Sequence, residues 1–187
     1  IHPRMGSWLF LGELLVDIEL QSTPNEIKAD CDACRRCIDA CPTGALVAPH
    51  VLDARRCIAY LTIELKGTIP PQLRPRMGNW IYGCDVCQAV CPWQRFATPT
   101  QEQALQPAAP ARAAPRLLDL AHMDEQAFQQ RYARSPMLRT GRERLMRNVA
   151  IALGNWGNDQ AIGALRDLLT DPAPLVRDHA AWALGRV

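Results

Sequence analysis

The residues best suited to chemistry in this chain are its eight cysteines. Four stand in Cys31-Asp32-Ala33-Cys34-Arg35-Arg36-Cys37-Ile38-Asp39-Ala40-Cys41-Pro42, the pattern C-x2-C-x2-C-x3-C-P. The other four are Cys57, then Cys84-x2-Cys87-x3-Cys91-Pro92. Closely spaced thiolates of the first kind can wrap one face of a [4Fe–4S] cube while the loop's backbone N–H groups point at its sulfides, and the fourth thiolate of such a run reaches a second cube. Pro42 and Pro92 fix φ as the chain leaves each loop and donate no hydrogen bond. The spacing assigns one cluster to Cys31, Cys34, Cys37 and Cys91 and a second to Cys57, Cys84, Cys87 and Cys41. Each long-range ligand then ties one half of the pattern to the other.

Two other thiol chemistries fit less well. Structural zinc usually takes two separated C-x2-C pairs, which leaves the third cysteine and the C-P ending unexplained. A disulfide framework belongs to secreted, usually shorter chains. The first run is the one found in bacterial two-cluster ferredoxins, although here the leading cysteine of the second set, Cys57, is displaced far upstream.

The elements that must position these thiols occupy a chain of 187 residues, enough for one or two small domains. Its 48% hydrophobic content supports ordinary cores, and its net charge of +2 says little about partners. No stretch approaches the ~18 apolar residues of a membrane span. The opening Ile1-His-Pro-Arg-Met-Gly lacks a signal-peptide architecture and an initiator Met, which points to a start inside a larger protein. Thiolate clusters favour a reducing compartment, so the expected location is the cytoplasm.

In chain order, Gly6-Ser7-Trp8 reads as a turn, and Leu9–Leu20 as a short helix followed by a strand that must pack on another surface. Residues 21–30 are a polar connector. Thr43-Gly44 reads as a glycine-assisted turn leading to a strand at Ala45–Val47. Between Cys57 and Cys84 lies an insertion in which Ile58–Leu65 reads as a helix ended by Lys66 and a C′ glycine, Gly67. Pro70-Pro71 opens one further helical turn before Gly78–Gly83 returns the chain to Cys84. Prolines 99, 107, 110 and 115, among Ala, Gln and Thr, mark a linker.

Beyond the linker the pattern is helical. Asp124 can cap a helix from Glu125 to about Ala133. Asn148-Val-Ala-Ile-Ala-Leu-Gly154 recurs as His179-Ala-Ala-Trp-Ala-Leu-Gly185, an offset of 31 residues. Ala161–Leu169 lies between them with apolar residues three and four apart, and Asp171-Pro172 turns the chain before Val176. Two helices joined by an Asp-Pro turn describe a HEAT-like repeat. Arg131, Arg134, Arg139, Arg142, Arg144 and Arg147, against Glu143 alone, give residues 131–147 a local charge of +5. Arginine's planar fork suits phosphate, and the start of a helix near Gly141 adds N–H groups that favour anions. Ion pairing with acids on neighbouring helices is the competing use of these side chains.

Taken together, these residues resemble the C-terminal half of the cobalamin-dependent epoxyqueuosine reductases, which act on transfer RNA. The resemblance is carried by Gly6–Glu13, the C-x2-C-x2-C-x3-C-P-T-G-A run, Tyr60–Gly67, Gly78–Asp85, Cys91-Pro92-Trp93, Ser135-Pro136 with the arginines, and Arg147–Asn155. It implies an α+β chain with a two-cluster ferredoxin-like module followed by an all-α HEAT-like repeat module. The corresponding divisions are residues 1–25 as the end of a truncated cobalamin-binding domain, 26–98 as the two-[4Fe–4S] domain, 99–116 as linker and 117–187 as truncated HEAT-like repeats. It further implies reduction of the epoxide of epoxyqueuosine at the wobble position of tRNA. Electrons would come from an external donor through the two clusters to cobalamin, with the proton-donating acid upstream of this chain.

By the same resemblance, Gly12, Leu15, Ala59, Thr62, Cys84 and Asp85 lie near the corrin, and Lys66, Arg139, Arg142, Arg144 and Arg147 meet the anticodon stem-loop. The implied protein is a monomer with no membrane contact, and this chain alone is not catalytically competent. The competing readings are the electron-transfer module of another cobalamin oxidoreductase, such as a reductive dehalogenase, and a repeat scaffold holding structural clusters. Reductive dehalogenases lack helical repeats with a basic face, which favours the tRNA-modifying reading.

Overall fold

Fifteen prolines keep most elements short, because each removes a backbone donor and fixes φ. The computed structural model describes residues 1–22, 31, 33–106 and 113–187. The described residues are mostly helical, with little strand. They divide into two compact units, Ile1–Cys41 with Asp85–Leu105, and Pro42–Cys84 with Gln106–Val187. The segment 26–98, expected as one domain, is therefore shared, its middle grouping with the helical residues. Most of the connector 21–30, Asp32 and the middle of the proline-rich linker lie outside the described residues.

The first unit opens with a tight turn in which His2 and Gly6 exchange N–H···O bonds of 2.8 and 2.9 Å. Its helices are α1, Arg36–Ala40, and α2, Val86–Ala89, which pack on each other. A 3-10 helix at Pro92–Phe96 starts with its proline in the first turn, where no amide donor is needed. The expected helix and strand over Leu9–Leu20 are not formed. These residues run without regular structure and stay exposed, Phe10 at 101%, Leu11 at 95% and Leu15 at 94%. A helix of this length gains its stability from packing an apolar face, and this stretch has none buried.

In the second unit, Gly44 takes φ +61°, and the chain continues into β1, Leu46–Ala48, one residue later than expected. β1 pairs antiparallel with β2, Val51–Leu52, in the register Leu46↔Leu52 and Ala48↔Val51. A 3-10 turn at Ala54–Arg56 leads to Cys57, and a π-helix follows at Tyr60–Glu64, where the Leu65 amide reaches back to the Tyr60 carbonyl. Leu65, in extended conformation, ends it, so Gly67 is not the C′ glycine. Arg74–Met77 form a further 3-10 turn after the prolines.

The helical part comprises α3 (Leu117–Ala121), α4 (Glu125–Tyr132), α5 (Met137–Thr140), α6 (Arg142–Trp156), α7 (Ala161–Leu168) and α8 (Pro174–Leu184). Asp124 caps α4 as expected, its Oδ1 accepting from the Ala127 amide at 2.7 Å. Helix α6 has two working faces. Leu145, Met146, Val149 and Leu153 join the main helical core with Phe128, Leu165 and Val176. Ile151 instead enters a second core with Ile58, Leu61, Ile69 and Met77 of the insertion. Among the described residues no helix is long and apolar enough to cross a membrane.

The repeated small residues bring α6 and α8 together. A Cβ at Gly154 would lie 2.7 Å from both Cα and Cβ of Ala183. Gly154→Ala is therefore expected to push the helices apart at a cost of about 1–3 kcal/mol, read as a lowered midpoint of chemical or thermal unfolding. An unchanged midpoint would show that the contact is not tight.

Candidate metal centre

Cys31 and Cys34 stand just before α1, where the Cys34 amide donates to the Cys31 carbonyl at 2.8 Å. Cys37 lies within α1 and Cys41 caps it, its amide donating to the Ile38 carbonyl. In the second set, Asp85 starts α2, accepting from the Gln88 and Ala89 amides at 3.0 and 2.8 Å. Cys87 is within α2, and Cys91 precedes the Pro92–Phe96 turn. Six ligand candidates, Cys31, Cys34, Cys37, Cys41, Cys87 and Cys91, thus belong to the first unit, and Cys57 and Cys84 to the second.

All eight cysteines are described, and none is in a disulfide. Cys34 and Cys87 are exposed and the other six half-buried. Among the described residues no three Cys, His, Asp or Glu side chains gather around a point that could hold a single metal ion. A cube takes one thiolate at each iron corner, so its ligands need not converge as those of one ion do. A donor set made only of thiolates, unlinked to one another and reachable from solvent, fits iron–sulfur chemistry by ligand softness.

Hydrogen bonds fix the backbone at Cys57 and next to Cys84. The Cys57 carbonyl accepts from the Leu61 amide at 2.9 Å. Thr62, fully buried, donates its hydroxyl to the Ile58 carbonyl at 2.7 Å and accepts the Gly83 amide at 2.9 Å. Bonds of the first kind load a helix carbonyl and loosen the turn, as at this π-helix. Asn148 on α6, also fully buried, donates both amide protons, to the carbonyls of Thr62 and Ile81, each at 2.9 Å.

Beside it, the Arg147 guanidinium is enclosed by the carbonyls of Leu61, Leu65 and Gly67 at 2.6–2.8 Å and by Asn148 Oδ1 at 3.0 Å. Burial, and secondarily the charge of Arg144, lowers its pKa to about 10, so it stays a cation at neutral pH. No carboxylate contacts it in these bonds. The carbonyl dipoles of Leu61, in the π-helix, and of Leu65 and Gly67, just after it, supply the compensation.

The residues expected to meet RNA and the corrin differ in exposure and in partners. Arg147 is inside the protein. Arg142 donates to the Met123 carbonyl at 2.6 Å and pairs with the buried Asp171 at 2.7 Å. Arg144 spends its donors on the carbonyls of Thr140, Arg139 and Ile63. The guanidinium groups of these three are engaged within the protein. Arg139 is exposed, in a bidentate pair with Glu64 at 2.8 and 2.9 Å, and Lys66 is exposed. Thr62 is fully buried and has its hydroxyl engaged on both sides. Ala59 and Cys84 are half-buried, Asp85 is exposed, and Gly12 and Leu15 lie in the exposed Leu9–Leu20 stretch.

Sequence reasoning passed over Asn148, Arg74 and His179. Arg74, 3% exposed, donates to the Ile69 carbonyl at 2.9 Å and to Asp178 at 3.0 Å. His179 accepts the Ile69 amide at Nε2, at 3.2 Å, and therefore presents protonated Nδ1 to the Leu175 carbonyl at 2.7 Å. The available signal was the repeat itself: Asn148 and His179 head its two copies, and both are buried polar groups bonded to the insertion.

Residues 30–94 match the family model described as a 4Fe-4S double cluster binding domain, and residues 134–187 match HEAT repeats. A protein of Xanthomonas campestris named epoxyqueuosine reductase is 48% identical over 97% of this chain and 51% of its own length. The Escherichia coli protein of that name is 46% identical over all of this chain and 48% of its own. The chain thus spans about half the length of the curated relatives it matches. A crystal structure of an epoxyqueuosine reductase with a tRNA-Tyr epoxyqueuosine-modified tRNA stem loop superposes with a TM-score of 0.78 at 38% identity, covering 86% of this chain and 42% of the other.

Burial, foremost, and the Arg74 charge lower the His179 pKa to about 4 from an ordinary 6.5, outweighing the Leu175 bond and Asp178, which raise it. The unfolded chain then binds a proton that the native chain refuses. Stability is expected to be full above about pH 6.5, to fall by about 3 kcal/mol as pH drops toward 4, and to lose no more from this group below that. Urea unfolding across this window measures it, and His179→Gln should flatten the slope. An unchanged slope in that variant would contradict the assignment.

Proposed function

The chain is kin to the epoxyqueuosine reductases over about half of their length, and from that premise we propose that it is the cluster-bearing and helical-repeat part of such an enzyme. The observation that carries this reading is the union, in one chain, of a double-cluster segment and HEAT repeats, both within an alignment that spans the chain at nearly half identity. The whole protein then reduces the epoxide of epoxyqueuosine at the wobble position of tRNA to queuosine.

The residues proposed to hold the clusters are Cys31, Cys34, Cys37 and Cys91 for one and Cys57, Cys84, Cys87 and Cys41 for the other, as their spacing suggests. When bound, the cubes supply one-electron transfer and cobalamin supplies reduced-cobalt chemistry at the epoxide. The exposed apolar stretch with Gly12 and Leu15 offers a surface that suits the edge of a corrin, as does half-buried Ala59, with Asp85 as a polar neighbour. Lys66 and Arg139 are the cations proposed to meet the phosphates of the anticodon stem-loop, Arg139 exchanging Glu64 for phosphate. Thiolate ligands that must stay reduced suit the cytoplasm, where an external donor supplies electrons.

The full-length protein, reconstituted anaerobically with iron, sulfide and cobalamin, tests this directly. It is expected to hold about eight irons per chain, four for each cube, and to convert epoxyqueuosine-modified tRNA to queuosine-modified tRNA when given a low-potential reductant. Zinc in place of iron, or no conversion by fully loaded protein, would overturn the proposal.

A further inference from the structure

Thr62 and Asn148 make a connected set of bonds whose ends fall beside two cysteines. The Thr62 hydroxyl donates to the carbonyl of Ile58, the residue directly after Cys57. It accepts from the amide of Gly83, the residue directly before Cys84. One oxygen therefore joins the two chain segments that deliver these thiols. Asn148 repeats the link one layer back, its amide bridging the carbonyls of Thr62 and Ile81 on the same two segments. The Asn148 oxygen is held in turn by Arg147 Nε at 3.0 Å, which fixes the orientation of the amide. Both side chains are fully buried, so water cannot substitute for any of these partners.

We propose that Thr62, seated on Asn148 of the helical-repeat module, is a positioning residue that sets the separation of Cys57 and Cys84 as ligands of one cluster. This rests on the reading above that both thiols bind the same cube. Four thiolates must meet four iron corners at fixed spacing, so a change in the Cys57–Cys84 separation strains or opens that cube alone. The Cys31, Cys34, Cys37 and Cys91 set has no member in the bonded segments and is left as it was. The repeat module thereby has a role at the cluster besides any contact with RNA.

The test uses the full-length protein carrying Thr62→Val, which keeps the shape and removes the hydroxyl, Thr62→Ser, which keeps the hydroxyl, and Cys57→Ala as reference. Iron per chain and the electron paramagnetic resonance signal of each reduced cluster are measured after anaerobic reconstitution. Thr62→Val is expected to behave like Cys57→Ala, falling from about eight irons to about four with the signal of one cluster intact, and Thr62→Ser is expected to retain both clusters. If Thr62→Val keeps both signals and all its iron, loses both clusters together, or is matched in its loss by Thr62→Ser, the positioning role is wrong. If Cys57→Ala keeps every iron, the ligand assignment itself is what fails.

Discussion

The second unit depends on one buried cation. Taking a guanidinium out of water costs several kcal/mol, and among the described residues no carboxylate is hydrogen-bonded to Arg147 to offset it. Its four hydrogen bonds go to the carbonyls of Leu61 in the π-helix and of Leu65 and Gly67 just after it, and to the Asn148 side chain. Hydrogen bonds to a charged group contribute about 1.5–3 kcal/mol each, so four of them are enough to hold the charge inside. They do so only while Leu61, Leu65 and Gly67 stay gathered around it. The π-helix in turn leaves carbonyls without intrahelical partners, and Arg147 satisfies that of Leu61, Asn148 that of Thr62 and Arg144 that of Ile63. Neither the cation nor the helix end is stable in that environment without the other.

From that pairing the remaining arrangement follows. Helix α6 presents Arg144, Arg147, Asn148, Ile151 and Asn155 along one face, the spacing of a helical stripe, and each meets the segment 58–83. Asn155 closes the far end, its amide donating to the carbonyls of Arg74 and Gly78 at 2.8 and 2.9 Å. On the other face α6 packs into the repeat core. From α8, Arg74's partner Asp178 and the imidazole of His179 add the second copy's grip on the insertion. The insertion between Cys57 and Cys84 is therefore built onto the repeats, which is why it groups with them rather than with α1 and α2.

Much of this was legible in the residues, unevenly. The thiol chemistry was, because metal ligands are constrained by type and spacing together. The repeat was, because Gly154 and the alanines of both copies record a close helix approach. The Asp124 cap was local and therefore readable. The direction of the arginines was not: a run of charge says nothing about where a long, apolar-stemmed side chain ends, and its acceptors here are backbone carbonyls that every sequence contains. The bridging role of Thr62 was hidden for the same reason, since the partners of its hydroxyl are backbone groups of two separate segments. Leu9–Leu20 carried enough apolar residues for a helix, yet hydrophobicity forms an element only against a surface, and these side chains are exposed.

The dependence of the insertion on α6 is tested most directly by amide hydrogen exchange in the native protein. If Arg147 and Asn148 bind the segment into the helical unit, the amides of Leu61, Leu65 and Gly83 should exchange only with the opening that releases the core of α6, at closely similar free energies. In Arg147→Met the same amides should exchange far faster while α6 stays protected. Rapid exchange at these three positions in the unaltered protein, with α6 still closed, would contradict the dependence.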